Sequence, residues 1–213
     1  MQSPKLTRPL ATLAIVIVAT SGVAASASAL FAAKAAVAPP IVTHVCAACH
    51  GGYGNSVDPS VPSLAGQGAP YLERQLIAFK TQRRTGVMSG IAVGLSDADA
   101  HVAADWFAQQ VAQPNPDPWP DSAALRQGAA IYRHGIDSKN VPACASCHAM
   151  NGNGLPPEFP RLAGQHTNYL EAQLRAFRSD SRLSNPNAMM RNISSDLSDQ
   201  EIDAVAQYIT DLH

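Results

Sequence analysis

The feature that most constrains this chain is a short cysteine–histidine motif that occurs twice. The spacing C-x-x-C-H is found at residues 46–50 (CAACH) and again at residues 144–148 (CASCH). On a helical turn, positions i, i+3 and i+4 lie on one face. Both cysteines and the histidine of each motif can therefore reach the same flat ligand. The chain has four cysteines in all, so its cysteine chemistry belongs entirely to these two motifs.

The C-x-x-C-H motif is the attachment signature of a c-type haem. The thiols that would form thioether bonds to the haem vinyl groups are those of Cys46, Cys49, Cys144 and Cys147. His50 and His148 are then the predicted iron ligands on one face of each haem. Disulfides, a thioredoxin-type dithiol and a four-cysteine zinc site are the competing interpretations. The dithiol needs no histidine and the zinc site leaves both histidines unexplained, so the sequence favours two haem c groups.

The two motifs belong to an internal duplication. At an offset of 98 residues, segment 62–80 (PSLAGQGAPYLERQLIAFK) aligns with segment 160–178 (PRLAGQHTNYLEAQLRAFR), and 12 of the 19 positions are identical. Residues 95–107 match residues 197–209 at an offset of 102. This period is too long for a solenoid repeat, so the chain is predicted to contain two homologous domains.

The predicted domains span residues 34–112 and 121–213, and the proline-rich segment 113–120 (QPNPDPWP) forms a stiff linker between them. Both domains are predicted to be all-α, with apolar residues recurring at a spacing of three to four. A helix is expected from Ser122 to Arg133. In the first domain, Pro39 and Pro40 interrupt the equivalent region, so that its first helix is short or begins at Pro40.

The last helix of each domain is predicted from a capping pattern, in which serine is followed three residues later by an acidic residue. Ser96 with Asp99 begins one of these helices, and Ser198 with Glu201 begins the other. The residues expected to face the core are Val102, Trp106 and Phe107 in the first domain and Ile202, Val205, Ala206 and Ile209 in the second.

Two methionines occupy matching positions in the repeat. Met88 lies seven residues before Leu95, and Met190 lies seven residues before the equivalent Leu197. The repeat therefore selects Met190 over Met189, for which packing is expected. Methionine ligation closes a haem and raises its potential, and we expect Met88 and Met190 to be the second axial ligands. Packing in the core is the alternative role of an isolated methionine.

Composition excludes several classes of protein. Apolar residues make up 46% of the chain and charged residues 15%, so it is not a disordered protein. The formal net charge of −1 provides no basic field for nucleic acid. Aromatic residues make up only 6%, which is few for two cores, and a haem held within each domain would compensate for them.

The N-terminus resembles a secretory signal peptide at residues 1–29. Basic residues at Lys5 and Arg8 precede an apolar stretch at 10–22, and A-x-A cleavage signals end at Ala27 and Ala29. Cleavage after Ala29 would leave 13 basic and 16 acidic residues, a net charge of about −3. An uncleaved N-terminal anchor is the alternative. The protein is expected to work in the periplasm.

As a set, these motifs resemble those of the cytochrome c4 family, whose exported members contain two class I cytochrome c domains. The resemblance rests on CAACHG at 46–51, FPRLAGQH at 159–166, MRN at 190–192 and the closing LSDQEI and YITDLH. It implies that the carbonyls of Pro62 and Pro160 accept the Nδ1 proton of the proximal histidines. It also implies that the two haem edges face each other. Ala149 departs from the family pattern, because glycine usually follows the motif.

The resemblance implies an electron carrier that associates loosely with the membrane, and not an enzyme. The expected partners are a dehydrogenase or quinol-oxidising complex as donor and a terminal oxidase or reductase as acceptor. A cytochrome subunit of a periplasmic dehydrogenase is the first alternative, and a dihaem peroxidase with one open haem is the second. Arginines that could neutralise haem propionates or dock a partner, unless they are ordinary solvated charges, are Arg74, Arg83, Arg84, Arg126, Arg133, Arg161 and Arg175.

Overall fold

The computed structural model describes residues 37–115 and 122–212. The predicted signal segment 1–29 lies outside the described residues, as does most of the predicted linker. Nine α-helices occur in the described ranges: α1 (Ala47–His50), α2 (Ala69–Lys80), α3 (Val87–Ala92), α4 (Asp97–Ala108), α5 (Ser122–His134), α6 (Ala145–His148), α7 (Thr167–Arg178), α8 (Met189–Ser195) and α9 (Asp199–Thr210). The same ranges contain only isolated β-bridges and no strands, which confirms the all-α prediction.

The first helical segment begins at Pro40, as one of the two sequence alternatives required. Proline is favoured at the start of a helix because its missing N–H has no partner there in any case. The chain then passes through a π-helical turn at Val42–Cys46 and continues directly into α1. The helical segment that precedes the first motif is therefore short, and its π-helical turn is wider than a turn of α-helix. In the second half, α5 extends over 13 residues before its motif.

Both predicted capping boxes are present. The Ser96 hydroxyl accepts the Asp99 N–H at the start of α4, and the Ser198 hydroxyl accepts the Glu201 N–H at the start of α9. In each case the acidic side chain also accepts the backbone N–H of its serine. Two orphan donors of each helix are thereby satisfied, which explains why both C-terminal helices begin where the sequence pattern places them.

The predicted core face is correct for α9 and partly wrong for α4. All four residues expected to face inward from α9 are buried. On α4, Trp106 and Phe107 are buried, but Val102 is 40% exposed. The buried stripe is instead centred on Ala103, Ala104 and Phe107. At 3.6 residues per turn, Val102 falls on the margin of that stripe, and the small alanines allow α4 to lie close to its neighbour.

Each half has its own apolar core. In the first half, α2 packs on α4 around Val42, Leu72 and Phe107. In the second half, α5 and α7 both pack on α9, with Tyr132 and Val205 fully buried. No helix in the described ranges is both long and apolar enough to cross a bilayer.

Candidate haem-binding sites

The first candidate site lies at the C-terminal end of α1. Cys46 is half-buried and ends the π-helical turn, while Cys49 is exposed and His50 is buried. Both thiols are free of disulfide bonds, as are those of the second motif. The structure therefore places no disulfide bond within or between the two motifs. Gly51 ends the helix with φ +75°, and the chain reverses immediately after the histidine.

The His50 ring is held by one backbone hydrogen bond. Its Nδ1 lies 2.9 Å from the carbonyl oxygen of Pro62. Since a carbonyl can only accept, Nδ1 carries the proton and Nε2 is left with its lone pair, as a metal ligand requires. Burial lowers the pKa of His50, and the hydrogen bond to Pro62 opposes that shift only in part. The ring is consequently neutral and oriented near pH 7.

The second candidate site repeats this geometry. His148, at the end of α6, has its Nδ1 2.9 Å from the carbonyl oxygen of Pro160. Burial again lowers the pKa of the histidine, with the Pro160 hydrogen bond opposing it. Burial also raises the pKa of the Cys144 thiol to about 11. Phe159 packs edge-on against His148, with 6.2 Å between ring centroids.

The two predicted methionine ligands lie at equivalent places in the two halves. Met88 is the second residue of α3 and Met190 is the second residue of α8, and both side chains are half-buried. The Met190 N–H donates to the Asn185 side chain at 2.9 Å, which fixes the start of α8. Met189 is also half-buried, whereas Met150 is 62% exposed. The assignment of Met88 and Met190 as ligands remains a prediction.

A buried pair of arginines joins the two halves. Arg84 and Arg182 face each other in an antiparallel β-bridge, and they are 7% and 5% exposed. Arg84 donates to the Tyr169 hydroxyl at 2.6 Å. Arg182 donates to the Tyr71 hydroxyl at 3.0 Å. Both guanidinium groups also donate to the side-chain oxygens of glutamines on α2 and α7. Among the described residues, neither has a carboxylate partner.

The two guanidinium groups act on the aromatic side chains around them. Burial by itself would raise the pKa of Tyr71, but the nearby Arg182 and Arg84 outweigh it and lower the pKa. Each guanidinium also lies over a ring of its own half, Arg84 at 4.5 Å from the Phe79 centroid and Arg182 at 4.3 Å from that of Phe177. Two buried cations without a counter-ion are costly, so this interface favours an anionic group.

Two glutamines of the repeated LAGQ segment also connect the halves. Gln165 accepts the Ser63 N–H at 2.9 Å and donates to the Ser63 carbonyl at 2.9 Å. Gln67 makes the equivalent pair with Arg161, accepting the N–H at 3.0 Å and donating to the carbonyl at 2.9 Å. Both glutamines are buried. Each half therefore makes the same glutamine-to-backbone contacts with the other, in a pseudo-twofold arrangement.

Comparison with known proteins identifies the family. The sequence profile of the cytochrome c family matches residues 125–213. Cytochrome c4 of Thiocapsa roseopersicina is 40% identical over 170 residues, covering 79% of this chain and 87% of the relative. This chain belongs to the cytochrome c4 family. The reduced cytochrome c4 of Pseudomonas stutzeri has a similar fold, with a TM-score of 0.76, 36% identity, and coverage of 84% of this chain and 100% of the other.

A relative with a more specific name is also similar. The thiosulfate dehydrogenase electron acceptor of Thiomonas intermedia is 36% identical over 177 residues, covering 82% of this chain and 81% of the relative. Together the comparisons confirm two haem c domains in an all-α dihaem electron-transfer cytochrome.

The residues of this cytochrome c4 fit two covalently bound haem c groups. Each motif presents two free thiols and a neutral histidine with Nε2 available. A haem also brings carboxylates, in its propionates, and these are the chemical complement of the buried Arg84 and Arg182. The guanidinium Nε of Arg161 is buried without a hydrogen-bond partner, and it is a further donor for such a group. The donor set therefore suits the cofactor in its thiols, its imidazoles and its buried cations.

Sequence reasoning selected Arg84 and Arg161 among the candidate arginines of this cytochrome c4 but missed Arg182. The repeat contained the signal, because Arg182 lies at the same offset of 98 from Arg84 that relates the two motifs. His166 stands where the first repeat has Gly68. It is 1% exposed, and its Nε2 lies 3.0 Å from the Ser56 carbonyl of the other half.

The other described histidines outside the two motifs lie at the surface. His44, His101 and His134 are exposed, and His101 contacts Glu73 through its Nδ1. His213 lies outside the described residues.

Proposed function

We propose that this protein is a periplasmic electron carrier between a dehydrogenase or quinol-oxidising complex and a terminal oxidase or reductase. The observation that carries the proposal is the matched pair of oriented histidines, each with Nδ1 bonded to a proline carbonyl at 2.9 Å. A carrier needs a redox site that changes charge without rearrangement, and the two oriented histidines support two such sites in this chain.

The roles proposed for the site residues are supported by the histidine geometry and, for the methionines, by their matching places in the repeat. Cys46 and Cys49 would hold the first haem by thioether bonds, His50 and Met88 would be its iron ligands, and Pro62 would fix the histidine tautomer. The equivalent residues of the second half are Cys144, Cys147, His148, Met190 and Pro160. When bound, each haem supplies a one-electron change at iron. The protein orients the imidazole, excludes water from its buried ring and supplies buried cations near the interface.

The proposed domain limits are residues 34–112 and 121–213, joined by segment 113–120, with a signal peptide at 1–29. The end of the first domain is supported by Asn55, whose side-chain amide donates to the Val111 carbonyl at 3.0 Å. Export to the periplasm with loose membrane association is proposed from the N-terminal sequence pattern. Haem attachment to a C-x-x-C-H motif is compatible with such export.

A donor of the dehydrogenase class has specific support, since one relative is named as the electron acceptor of a thiosulfate dehydrogenase. We therefore propose a periplasmic dehydrogenase as the first donor to test. Whether the cytochrome is a free carrier or a fixed subunit of that enzyme is decided by co-purification: a free carrier separates from the dehydrogenase on size-exclusion chromatography, and a subunit elutes with it.

The experiment for the carrier role is rapid mixing of the reduced, haem-loaded protein with membranes that contain an active terminal oxidase. We expect both haems to be oxidised, with a rate that falls as ionic strength rises if docking is electrostatic. Peroxide turnover is measured on the same preparation. Rapid oxidation by the membranes without peroxide turnover supports the carrier. Peroxide turnover comparable to that of a dedicated peroxidase, with no oxidation by membranes, would overturn it.

A further inference from the structure

The glutamine contacts between the halves reach the same peptide groups that hold the proximal histidines. The carbonyl of Pro62 accepts the His50 Nδ1–H, and the N–H of that same peptide unit belongs to Ser63. The Ser63 N–H donates to Gln165 Oε1 across the interface. A continuous path therefore runs from the His50 ring, through one peptide unit, to a side chain of the other half.

The second site has the reciprocal path. His148 donates to the carbonyl of Pro160, and the N–H of that peptide unit, from Arg161, donates to Gln67 Oε1. Gln67 is 8% exposed and Gln165 is 9% exposed, and each is held at both ends of its amide. The two paths cross the interface in opposite directions. The peptide unit that holds each histidine is therefore hydrogen-bonded to the glutamine of the other half.

A peptide unit transmits polarisation between its two ends. When the N–H donates to a fixed oxygen, the carbonyl of the same unit becomes a stronger acceptor, and hydrogen bonds in such a chain strengthen one another by about 10–30%. This effect is greatest in buried surroundings, where water does not compete. The paths through Pro62 and Pro160 meet that condition, because both histidines and both glutamines are buried.

We propose that Gln165 and Gln67 are positioning residues that act across the domain interface, each strengthening the proximal-histidine hydrogen bond of the opposite haem. Gln165, in the second half, acts on His50, and Gln67, in the first half, acts on His148. A stronger Nδ1–H bond makes the imidazole a more basic ligand, which stabilises ferric iron and lowers the potential. Each domain thereby adjusts the potential of its partner. The inference rests on the proposed roles of His50 and His148 as iron ligands.

The experiment uses the full-length, haem-loaded protein and the neutral substitution Gln165→Leu. We expect the potential of the first haem to rise and that of the second to stay unchanged. At a fixed solution potential, we expect the ferric-to-ferrous ratio of the first haem to change about threefold. Since a tenfold change corresponds to 59 mV for one electron, this is a rise in potential of about 28 mV. Proton NMR of the ferrous protein assigns the effect, because the His50 Nδ1–H should move upfield and exchange faster while the His148 signal stays in place.

Gln67→Leu is the matched variant, and we expect the second haem and the His148 signal to respond instead. Gln165→Glu keeps an oxygen that accepts the Ser63 N–H, and a carboxylate is a stronger acceptor than an amide, so the His50 Nδ1–H signal should lie at or downfield of its wild-type position. Ser184→Ala is the interface control. It removes a 3.0 Å hydrogen bond to Gln75 across the interface without touching either proline peptide, and both histidine signals should stay unchanged.

In the expected result, each substitution changes only the haem of the opposite half. This pattern distinguishes the proposed role from a general loosening of the interface. Looser packing admits water to both haems, stabilises the charged ferric state and lowers both potentials together. A fall in both potentials, a response of the haem in the mutated half, or no response of either histidine signal would overturn the proposal. Failure of the proposed ligation is seen separately, as wild-type protein without histidine-ligated iron. The Gln67 variant keeps the test available if the Gln165 variant does not fold.

Discussion

In the second half of the molecule, a long helix leads into the haem motif and lies directly against the C-terminal helix. In the first half, the described chain enters its motif from Pro40 through a π-helical turn. Both routes nevertheless place a histidine Nδ1 at 2.9 Å from a proline carbonyl. The histidine is therefore fixed by the loop that follows the motif. The segment that precedes the motif is free to differ.

The closest helix contact belongs to the second half. Gly128, in the middle of α5, lies against α9 so tightly that an added Cβ would be 2.0 Å from the Ala204 carbonyl oxygen. In the first half, Gly90 lies within α3, and an added Cβ would have nothing within 4 Å. Glycine is therefore required by close helix packing at position 128, whereas at position 90 packing makes no such demand.

The largest predicted effect uses these two glycines. Gly128→Ala should lower the free energy of unfolding by about 2–3 kcal/mol, because the methyl group forces α5 away from the α9 backbone. Gly90→Ala should raise it by about 0.5–1 kcal/mol through helix propensity. Guanidinium denaturation followed by circular dichroism and haem absorbance measures both. If Gly128→Ala were as stable as wild type, α5 would not be docked as described.

The two halves also differ in the residue that directly follows the histidine of the motif. Gly51 has φ +75° and ψ 152°, a region that only glycine adopts easily. The equivalent Ala149 is held at φ +65° and ψ 155°. The Tyr132 hydroxyl donates to the Ala149 carbonyl at 2.6 Å, which helps to hold this backbone in place.

Exchanging these residues gives the next predicted effects. Ala149→Gly should raise the free energy of unfolding by about 1 kcal/mol by relieving the backbone strain. Gly51→Ala should lower it by about 2 kcal/mol, since the added Cβ would also lie 2.9 Å from the Asn55 carbonyl. Thermal unfolding of the two single variants and the double exchange measures the effects. Destabilisation by Ala149→Gly would show that the strain is absent.

A third difference is in the ion pairs between helices. In the first half, Glu73 on α2 contacts His101 on α4, and Asp105 lies 3.3 Å from the same ring. In the second half, Arg175 on α7 bridges Glu171 and Asp203. Arginine stays charged at all working pH values, whereas histidine titrates near neutrality.

The smallest predicted effect is a pH dependence of the first half. The hydrogen bond to Glu73, followed by the charges of Asp105 and Glu73, raises the pKa of His101. Because the folded pKa is raised, this stabilisation is complete below the unfolded value of about 6.5 and is lost as pH rises through the folded pKa. The Tm difference between wild type and His101→Gln should therefore shrink between about pH 5.5 and about pH 8.5.

The control for this titration is Arg175→Gln, whose Tm difference from wild type should stay nearly constant over the same range. A His101→Gln difference that is equally constant would contradict the assigned titration.

Local sequence signals predicted much of the fold. The repeat, the two motifs and the capping boxes depend on residues close in the chain, and these predictions agree with the structure. The prediction of the inward face of α4 was less accurate, because the apolar pattern favoured Val102 over Ala103 and Ala104. Helix packing favours small residues where two helices approach closely, and a scale of apolarity does not register that.

The interface could not be predicted in the same way. Gln67 and Gln165 were visible only as conserved positions of the internal repeat, and their partners are backbone groups of the other half. Backbone partners have no sequence signature, because every residue carries them. The strained conformation of Ala149 was also invisible, although its departure from glycine at that position marked it for attention. Arg182 was detectable from the repeat offset but not from its own surroundings in the sequence.

Each half is proposed to close its haem with one histidine and one methionine, Met88 in the first half and Met190 in the second. The most direct test is the weak red absorption band of methionine-ligated ferric haem, quantified against total haem. Wild type should show two equivalents per chain, and Met88→Ala and Met190→Ala should each lose one, while Met189→Ala keeps both. One band or none in wild type, or loss of a band in Met189→Ala, would contradict the account.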